Sequence, residues 1–513
     1  MAINQLKAGA LLSYITVGLS NVLGLVYTPY MLRMMGQNEY GLYSLASSVI
    51  IYLTIFDLGF GHTIVRYTAK LRSEGQSEEQ YAMFGMFVII YSVLSMIALI
   101  VGLGFYFNID YFFGNTLSVG ELGKTRIIMM LMLFNLSFTF IFSIFGSIIS
   151  AYEKFIFQKG INILRVLLNT AAMIVMLEMG YKAVGMVIVA TAFNVVTLLV
   201  NCWYCFFKIK IRIYFKKFQW GFLKELSLFS FYIFLIMIMD RIYMNSGQFV
   251  LGSLEGTASV AIFALAIQFQ SIYISFSTAI SSVFLPKVTA MVSSGIGDSN
   301  KYVSDLFIKT GRIQFILISL VLTGFILFGK QFIVLWAGAE YLDVYGITVV
   351  LFVSMAIPLI QNMGNTILRA RNQLKFQSFL YVSVAIVCLL MQIYWARRYG
   401  GMGCAMAIAI TQIIGYVLVM NVYYHKKQSI NIYGFWKNIL AMSIFPCALS
   451  LISYLILKNI EFHSMSQLLG AIALFSFVYI IILWNTSMNQ YERDLFRVPI
   501  KSVFNKLTRN SIG

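Results

Sequence analysis

Residues 83–107 read MFGMFVIIYSVLSMIALIVGLGFYF, a continuous apolar run without one charged side chain. A helix that crosses the hydrocarbon core of a bilayer, about 30 Å thick, needs about 20 consecutive apolar residues. This run is long enough to be such a helix. It is typical of the whole chain, in which 60% of the residues are hydrophobic and 11% are charged. Soluble globular domains carry about 25% charged residues, so the composition indicates an integral membrane protein.

Similar apolar runs recur along all 513 residues, separated by charged or turn-forming clusters. Lipid offers the backbone no hydrogen-bond partners, so each run is predicted to be a helix. The first run is too long for the apolar part of a cleavable signal peptide. The sequence predicts fourteen transmembrane helices, at residues 8–32, 40–66, 83–107, 127–150, 161–179, 184–207, 225–250, 258–284, 312–336, 345–368, 376–396, 402–424, 436–457 and 465–485.

The distribution of positive charge predicts an orientation. A formal net charge of +18 would by itself suggest a nucleic-acid partner. With the N-terminus placed in the cytoplasm, however, 27 of the 37 lysines and arginines fall on the cytoplasmic side of the predicted spans. This asymmetry follows the positive-inside rule. We therefore expect both termini in the cytoplasm and no nucleic-acid binding.

The two halves of the chain resemble each other. Residues 38–46, NEYGLYSLA, align with residues 258–266, ASVAIFALA, at an offset of 220 positions. Further along, SAYEKFIFQ (150–158) aligns with RARNQLKFQ (369–377) at an offset of 219. The repeated unit contains six helices, an even number, so both copies are expected to share one orientation and to lie side by side.

The predicted fold is an all-α polytopic membrane protein, with two parallel six-helix bundles around a central cavity. Residues 1–224 are assigned to an N-terminal lobe with a cytoplasmic linker, and residues 225–430 to a C-terminal lobe that repeats it. Residues 431–486 form an extra helix pair, and residues 487–513 form a basic cytoplasmic tail. The loops are too short for a soluble catalytic domain, so an enzyme is not expected.

Several segments resemble one known family. They include TPYMLRMMGQNEYGLYSLASSV (28–49), FDLGFGHTIVRY (56–67), MDRIYMNSGQFVLG (239–252), VFLPKVTAM (283–291) and FGKQFIVLWAGAEY (328–341). These segments are similar to the bacterial polysaccharide transporters, which include O-antigen and capsule flippases. That family belongs to the multidrug, oligosaccharidyl-lipid and polysaccharide exporter superfamily. The resemblance runs over about residues 8 to 425.

The resemblance implies a two-lobed, alternating-access transporter in the bacterial inner membrane. Its implied cargo is an undecaprenyl-diphosphate-linked glycan, moved from the inner to the outer leaflet for surface polysaccharide assembly. Membrane lipids, a polysaccharide polymerase and glycosyltransferases are the other implied partners. The extra helix pair resembles the pair that helps to shape a lipid-tail groove in lipid II flippases. No cofactor is expected, and a proton or sodium gradient would drive transport, as in an antiporter.

Two other function classes stay open at this point. A cation-coupled multidrug extruder would share the fold, although extruders usually stop at twelve spans. A membrane glycan polymerase or ligase would need large external loops or an intramembrane catalytic cluster. The fourteen predicted spans and the arginines described next favour an anionic, lipid-linked cargo.

Charged residues inside the predicted spans are candidate functional residues, because a charge at the bilayer centre costs about 2.5–3.5 kcal/mol on insertion scales. Asp240 and Arg241 lie near the middle of the seventh span. We expect Arg241 to contact the anionic headgroup and Asp240 to take part in ion coupling. A buried ion-pair network that only fixes helix packing is the alternative.

Asp57 lies in the second span, beside two glycines. A carboxylate there could bind and release a proton or a sodium ion as the cavity opens and closes. Pairing with Arg66 or His62 through water would give it a purely structural role instead. No metal site is expected.

Arg66, Arg165, Arg312 and Arg369 are predicted at the cytoplasmic ends of their spans, where they could surround the inward opening. Their planar guanidinium groups suit pyrophosphate oxygens, although topology alone also places arginines there. Asn21, Gln268 and Asn362 put amides inside apolar spans. They are candidates for hydrogen bonds to sugar hydroxyls or to neighbouring helices.

Overall fold

The computed structural model describes residues 5–57, 59–215, 220–294, 299–371, 373–495 and 497. No described residue is in a β-strand. The described α-helices are α1 (Gln5–Met35), α2 (Gln37–Leu53), α3 (Phe60–Ser73), α4 (Ser77–Phe107), α5 (Ile109–Phe113), α6 (Val119–Ala151), α7 (Phe155–Glu178), α8 (Ala183–Tyr204), α9 (Trp220–Leu254), α10 (Thr257–Ser294), α11 (Ser299–Trp336), α12 (Asp343–Ile360), α13 (Met363–Ala370), α14 (Leu374–Gln412), α15 (Met420–Lys426), α16 (Ile432–Leu457) and α17 (Met465–Thr486). Most of the predicted basic tail, residues 498–513, lies outside the described residues.

The helices agree with the predicted membrane spans. Within the described residues, twelve helical stretches are long and apolar enough to cross a membrane. One of them, Leu374–Lys426, is 53 residues long and contains the predicted spans 11 and 12, separated by a kink at Gly400. Helix α9, 35 residues long, matches the seventh predicted span. The prediction of an all-helical polytopic protein with about fourteen spans is confirmed.

Glycines with left-handed backbone angles mark equivalent positions in the two sequence repeats. Gly36 (φ 78°) precedes α2, and Gly256 (φ 94°), 220 positions later, precedes α10. Gly180 (φ 83°) and Gly400 (φ 53°) form a second pair with the same offset. Residues with a Cβ rarely adopt this conformation. The chain therefore turns between helices in the same way in both halves.

Two predicted spans are broken where the sequence suggested continuous helices. The second span runs from α2 into a 3-10 turn, Thr54–Asp57, and restarts as α3 after Gly59, which is left-handed (φ 70°, ψ 17°). The tenth span stops at the end of α12 and restarts as α13 at Met363. Each break leaves backbone carbonyl groups of a membrane span without a helical hydrogen-bond partner. This is tolerated only where other parts of the protein or a polar cavity contact these groups.

The chain divides into two compact units that do not follow sequence order. The first unit contains Met1–Leu265 and Leu374–Ala407, and the second contains Ala266–Gln373 and Ile408–Gly513. The lobe boundaries predicted at residues 224 and 430 stay a prediction.

Within the second unit, the extra helix pair packs on α11. The Ser319 and Tyr479 hydroxyls are 2.6 Å apart, and the Phe328 ring meets the Phe475 ring edge-on at 5.9 Å between centroids. Leu468 and Leu483 on α17 are buried in the same apolar cluster. In lipid, such close packing and hydrogen bonding hold helices together, because apolar surface gains nothing by leaving the solvent.

Candidate functional site

Asp57 lies at the break in the second span, as the last residue of the 3-10 turn, and it is half-buried. The Tyr91 hydroxyl on α4 lies near the Asp57 carboxylate and the Ser143 hydroxyl on α6. The end of a helical segment adds partial negative charge from its carbonyl groups. The junction of these three helices is therefore rich in oxygen atoms, which suits a proton or a small cation.

At the corresponding position of the second repeat, a serine stands in place of the carboxylate. Ser277 lies 220 positions after Asp57, and its hydroxyl donates to the Leu359 carbonyl over 2.7 Å. The Gln314 amide on α11 lies 3.2 Å from the Ser277 hydroxyl and 2.6 Å from the Ser281 hydroxyl. Serine and glutamine do not titrate near neutral pH. Of these two equivalent positions, Asp57 is thus the one whose side chain can change its charge.

Arg165 lies further from the start of its helix than the sequence predicted. Helix α7 begins at Phe155, not at residue 161, so Arg165 is ten residues, or about 15 Å, from its start. The guanidinium is half-buried and donates to the Asn194 side-chain oxygen on α8 over 3.2 Å. It forms no ion pair with any acidic side chain of the described residues. Its charge is thus available to an anion from elsewhere.

The amide of Asn194 is itself fixed by α6. Its nitrogen donates to the Asn135 side-chain oxygen over 2.6 Å and to the Thr139 hydroxyl over 2.8 Å. Asn135, Thr139 and Ser143 follow one another at intervals of four residues, so they lie on one side of α6, about 12 Å from first to last. One polar stripe thereby connects the Arg165 network with the Asp57 junction.

Asp240 and Arg241 lie 20 residues into α9. Asp240 is exposed and Arg241 is half-buried. The Asn245 side chain donates to the Arg241 backbone carbonyl over 3.2 Å. Among the described residues, no acidic side chain forms an ion pair with Arg241. The assignment of Arg241 to headgroup binding and of Asp240 to coupling stays a prediction.

Two of the predicted arginines are exposed, as residues near an opening would be. Arg66 on α3 lies 5.8 Å from the centroid of the Tyr67 ring. Arg369 lies in the last turn of α13. The neighbouring Arg371 is held instead by the Gln428 side chain and backbone, both at 2.9 Å.

Arg312 is enclosed in a structural network, which differs from the predicted place at an opening. It lies thirteen residues into α11 and is 8% exposed. Its guanidinium binds both oxygens of the Glu492 carboxylate, at 2.5 and 3.0 Å. It also donates to the Asn438 side chain on α16 and to the Ser487 carbonyl that follows α17. These contacts favour a role in docking the extra helix pair.

The predicted amides are half-buried, but they differ in surroundings. Asn21 lies on α1 and Gln268 on α10. Asn362 lies at the break between α12 and α13, where its side-chain oxygen accepts from the Asn365 amide over 3.0 Å. The adjacent Gln361 amide pairs with Asn421 over 2.9 Å. These contacts cap a broken helix, and the sugar-binding role of Asn21, Gln268 and Asn362 stays a prediction.

Several residues at these sites were missed from the sequence. The sequence analysis did not single out four of them: Tyr91, Ser143, Asn194 and Glu492. A neutral side chain within an apolar run, or an acidic residue in the basic tail, does not by itself indicate a functional site. Asn194 was recognisable as an amide inside the sixth span. Glu492 was not recognisable from the sequence, since its partner Arg312 lies 180 residues away.

The comparisons with known proteins agree with the fold. A family model described as polysaccharide biosynthesis protein matches residues 6–292, more than half of the chain. No curated protein sequence matches this chain.

Among solved structures, the lipid II flippase MurJ in an inward closed conformation is 17% identical, with a TM-score of 0.72 over 95% of this chain and 100% of that one. An inward-facing multidrug resistance transporter of the MATE family is 15% identical, with a TM-score of 0.61 over 80% of this chain and 95% of that one. An outward-facing structure from the same family gives a TM-score of 0.55 at 15% identity, over 82% and 95% of the two chains. At these identities the similarity shows the fold. Together with the family match, it establishes that the chain belongs to the polysaccharide biosynthesis protein family and has the fold of the flippases and exporters of the MOP superfamily.

Proposed function

We propose that this protein is a flippase for an undecaprenyl-diphosphate-linked oligosaccharide, driven by an ion gradient. The observation that carries the proposal is Arg165, a cation within the candidate membrane span Phe155–Glu178 whose described partner is a neutral amide. An arginine in lipid without a compensating acid is expensive, so a function is expected for it. A pyrophosphate would supply the missing negative charge and match the guanidinium geometry.

The polar stripe on α6 supports recognition of a sugar headgroup at the same place. Asn135, Thr139 and Asn194 offer amide and hydroxyl groups beside Arg165. Sugars are recognised by such hydrogen-bonding groups, and the phosphate by the cation. We propose that Arg165 binds the pyrophosphate, and that Arg241, Arg66 and Arg369 assist along the path. Arg312 is left out of this set, because Glu492 already neutralises it.

Ion coupling is proposed at Asp57. Its carboxylate can exist with or without a proton or a sodium ion, and the α6 stripe links it to the Arg165 network. A charge change at Asp57 would alter the field at Arg165 and thereby favour release of an anionic headgroup. Asp240, exposed on α9, is the second coupling candidate.

The proposed setting is the bacterial inner membrane, with both termini in the cytoplasm. The excess of lysine and arginine in the loops on one side supports this orientation. The cargo would come from glycosyltransferases on the cytoplasmic side and pass to a polysaccharide polymerase outside. Transport, not catalysis, is the proposed activity.

Reconstituted vesicles test this function. A fluorescent undecaprenyl-diphosphate oligosaccharide is placed in the inner and outer leaflets, and its accessibility to an external quencher is followed with and without a proton or sodium gradient. Gradient-dependent movement that Arg165→Gln abolishes is the expected result. Gradient-driven export of lipophilic cations, with no movement of the lipid-linked sugar, would show a multidrug extruder instead. Elongation of the glycan by the purified protein would show an enzyme.

A further inference from the structure

A groove in the first unit has no place in the transport mechanism above. Its volume is about 410 Å³, within the range of about 300–1,000 Å³ of small-molecule sites. Helix α9 lines it from Ile242 to Leu254, and the first half of α14 lines it from Leu389 to Arg397. A Ser246–Gln392 hydrogen bond of 2.6 Å joins the two helices at one wall.

The apolar part of the groove has the length of one leaflet. Ile242 and Leu254 are twelve residues apart on one helix, which is about 18 Å. Half of a hydrocarbon core is about 15 Å thick. The Phe249 ring, which also lines the groove, packs edge-on against the Phe112 and Phe113 rings at 5.7 and 5.4 Å and so closes one side. A single hydrocarbon chain fits this shape.

One end of the groove carries a positive charge. Arg397 lies two turns after Leu389 on the same side of α14, and its side chain is exposed. Glu255 follows the end of α9, but its carboxylate lies against Gly400, where an added Cβ would be 2.6 Å from it. Arg397 forms no ion pair with an acidic side chain in the described part of the chain. The neighbouring Arg398 instead lies 6.0 Å from the Tyr394 ring centroid.

We infer that this groove binds an anionic phospholipid of the surrounding bilayer, with one acyl chain along α9 and the phosphate-bearing headgroup at Arg397. An apolar slot of one leaflet's length with a cation at its end is complementary to an amphiphile of that charge. A zwitterionic lipid would carry its own cation close to Arg397 and is a poorer match. The inference concerns a resident lipid, and it does not depend on the identity of the cargo.

Native mass spectrometry of the detergent-purified protein tests this inference. The protein is incubated separately with phosphatidylglycerol, phosphatidylcholine and a polyprenyl phosphate, and retained lipid is counted. Phosphatidylglycerol should be retained at least about threefold better than phosphatidylcholine, because the choline cation of phosphatidylcholine repels Arg397 and offsets the attraction of the phosphate. Arg397→Gln should remove that preference. Arg398→Gln, one residue away but outside the groove, is the matched control and should keep it.

A second variant tests the slot itself. Ser253→Phe narrows the groove without changing charge and should lower retention of both phospholipids, while thermal unfolding checks that the protein is folded. Equal retention of the two phospholipids, or equal losses in Arg397→Gln and Arg398→Gln, would overturn the assignment. Preferred retention of polyprenyl phosphate over phosphatidylglycerol would also overturn it and place the groove on the cargo path. Flipping by the same variants in reconstituted vesicles reports separately on the proposed function.

Discussion

Asn194 holds Arg165 with its oxygen, at 3.2 Å, while its nitrogen is bound to Asn135 at 2.6 Å. The three side chains come from α8, α7 and α6, and the network orients a guanidinium inside the membrane without neutralising it. An amide is suited to this, because it accepts from the arginine on one side and donates to another helix on the other.

Replacing Arg165 should therefore weaken cargo binding more than folding. A hydrogen bond to a charged group contributes about 1.5–3 kcal/mol, so Arg165→Gln is expected to weaken binding of a pyrophosphate-linked headgroup by about tenfold or more. Arg165→Lys keeps the charge but loses the planar fork, and should recover activity only in part. Headgroup binding by isothermal titration is the measurement.

The matched control for Arg165 is Arg72→Gln. Arg72 is an exposed arginine that stacks over the Tyr152 ring at 4.6 Å and belongs to no proposed site. The Arg72→Gln protein should bind the headgroup with the same affinity as the unchanged protein. Normal headgroup binding by Arg165→Gln, with a large loss of thermal stability, would assign Arg165 to helix packing.

The comparison of the two repeats gives a prediction for coupling. Asp57→Asn should make flipping independent of the ion gradient, because the amide cannot gain or lose a proton. Tyr91→Phe keeps the carboxylate but removes the neighbouring hydroxyl, so the gradient dependence should shift but persist. Initial flipping rates in vesicles at several imposed gradients are the measurement. Ser277→Ala, at the equivalent position of the second repeat, should leave the dependence unchanged. An Asp57→Asn protein that still follows the gradient would exclude Asp57 as the coupling residue.

Arg312 should prove structural. Arg312→Met leaves Glu492 buried and unpaired, and breaking a buried ion pair in this way costs about 3–5 kcal/mol of unfolding free energy. The double variant Arg312→Met, Glu492→Met removes both charges and should recover much of that loss. Thermal unfolding in detergent compares the stability of the single and the double variant. Near-normal stability of Arg312→Met, together with lost headgroup binding, would show that Arg312 binds the substrate.

The left-handed glycines predict opposite effects for two otherwise similar substitutions. A Cβ at Gly36 or at Gly104 would meet no atom within 4 Å. Gly36 has φ 78°, so Gly36→Ala should lower the free energy of unfolding by about 1–2 kcal/mol. Gly104 is inside α4, where Gly104→Ala should raise it by about 0.5–1 kcal/mol. Equal effects of the two alanines on thermal unfolding would contradict the turn geometry described for Gly36.

The fold was predictable because a membrane-spanning helix requires a long apolar run, which is easily recognised in a sequence. Apolar runs such as residues 83–107 predicted where the helices lie. The offset of 220 positions between the two sequence repeats recurs in the structure, in the paired glycines Gly36 and Gly256. Helix ends were less predictable. The helix of Arg165 starts six residues before the predicted span, because polar residues can continue a helix beyond the hydrocarbon core.

The site was predictable only for its charged members. Asp57 and Arg165 stood out as charges among apolar residues. Their neutral partners Tyr91 and Asn194 did not, since tyrosines and amides occur in many spans and their role depends on which helices become neighbours. The break after Asp57 was also missed, although Gly59 allows the left-handed turn that creates it.

The Arg312–Glu492 contact has a consequence for biosynthesis. The two residues are 180 positions apart, and a ribosome adds about 5–20 residues per second, so roughly 9–36 s separate their synthesis. During that interval Arg312 has been made but Glu492 has not, so the two side chains cannot yet pair. The contacts that Arg312 makes with the segment after α17 can form only once that segment has emerged. Final assembly of this part of the second unit therefore has to wait for the segment that contains Glu492.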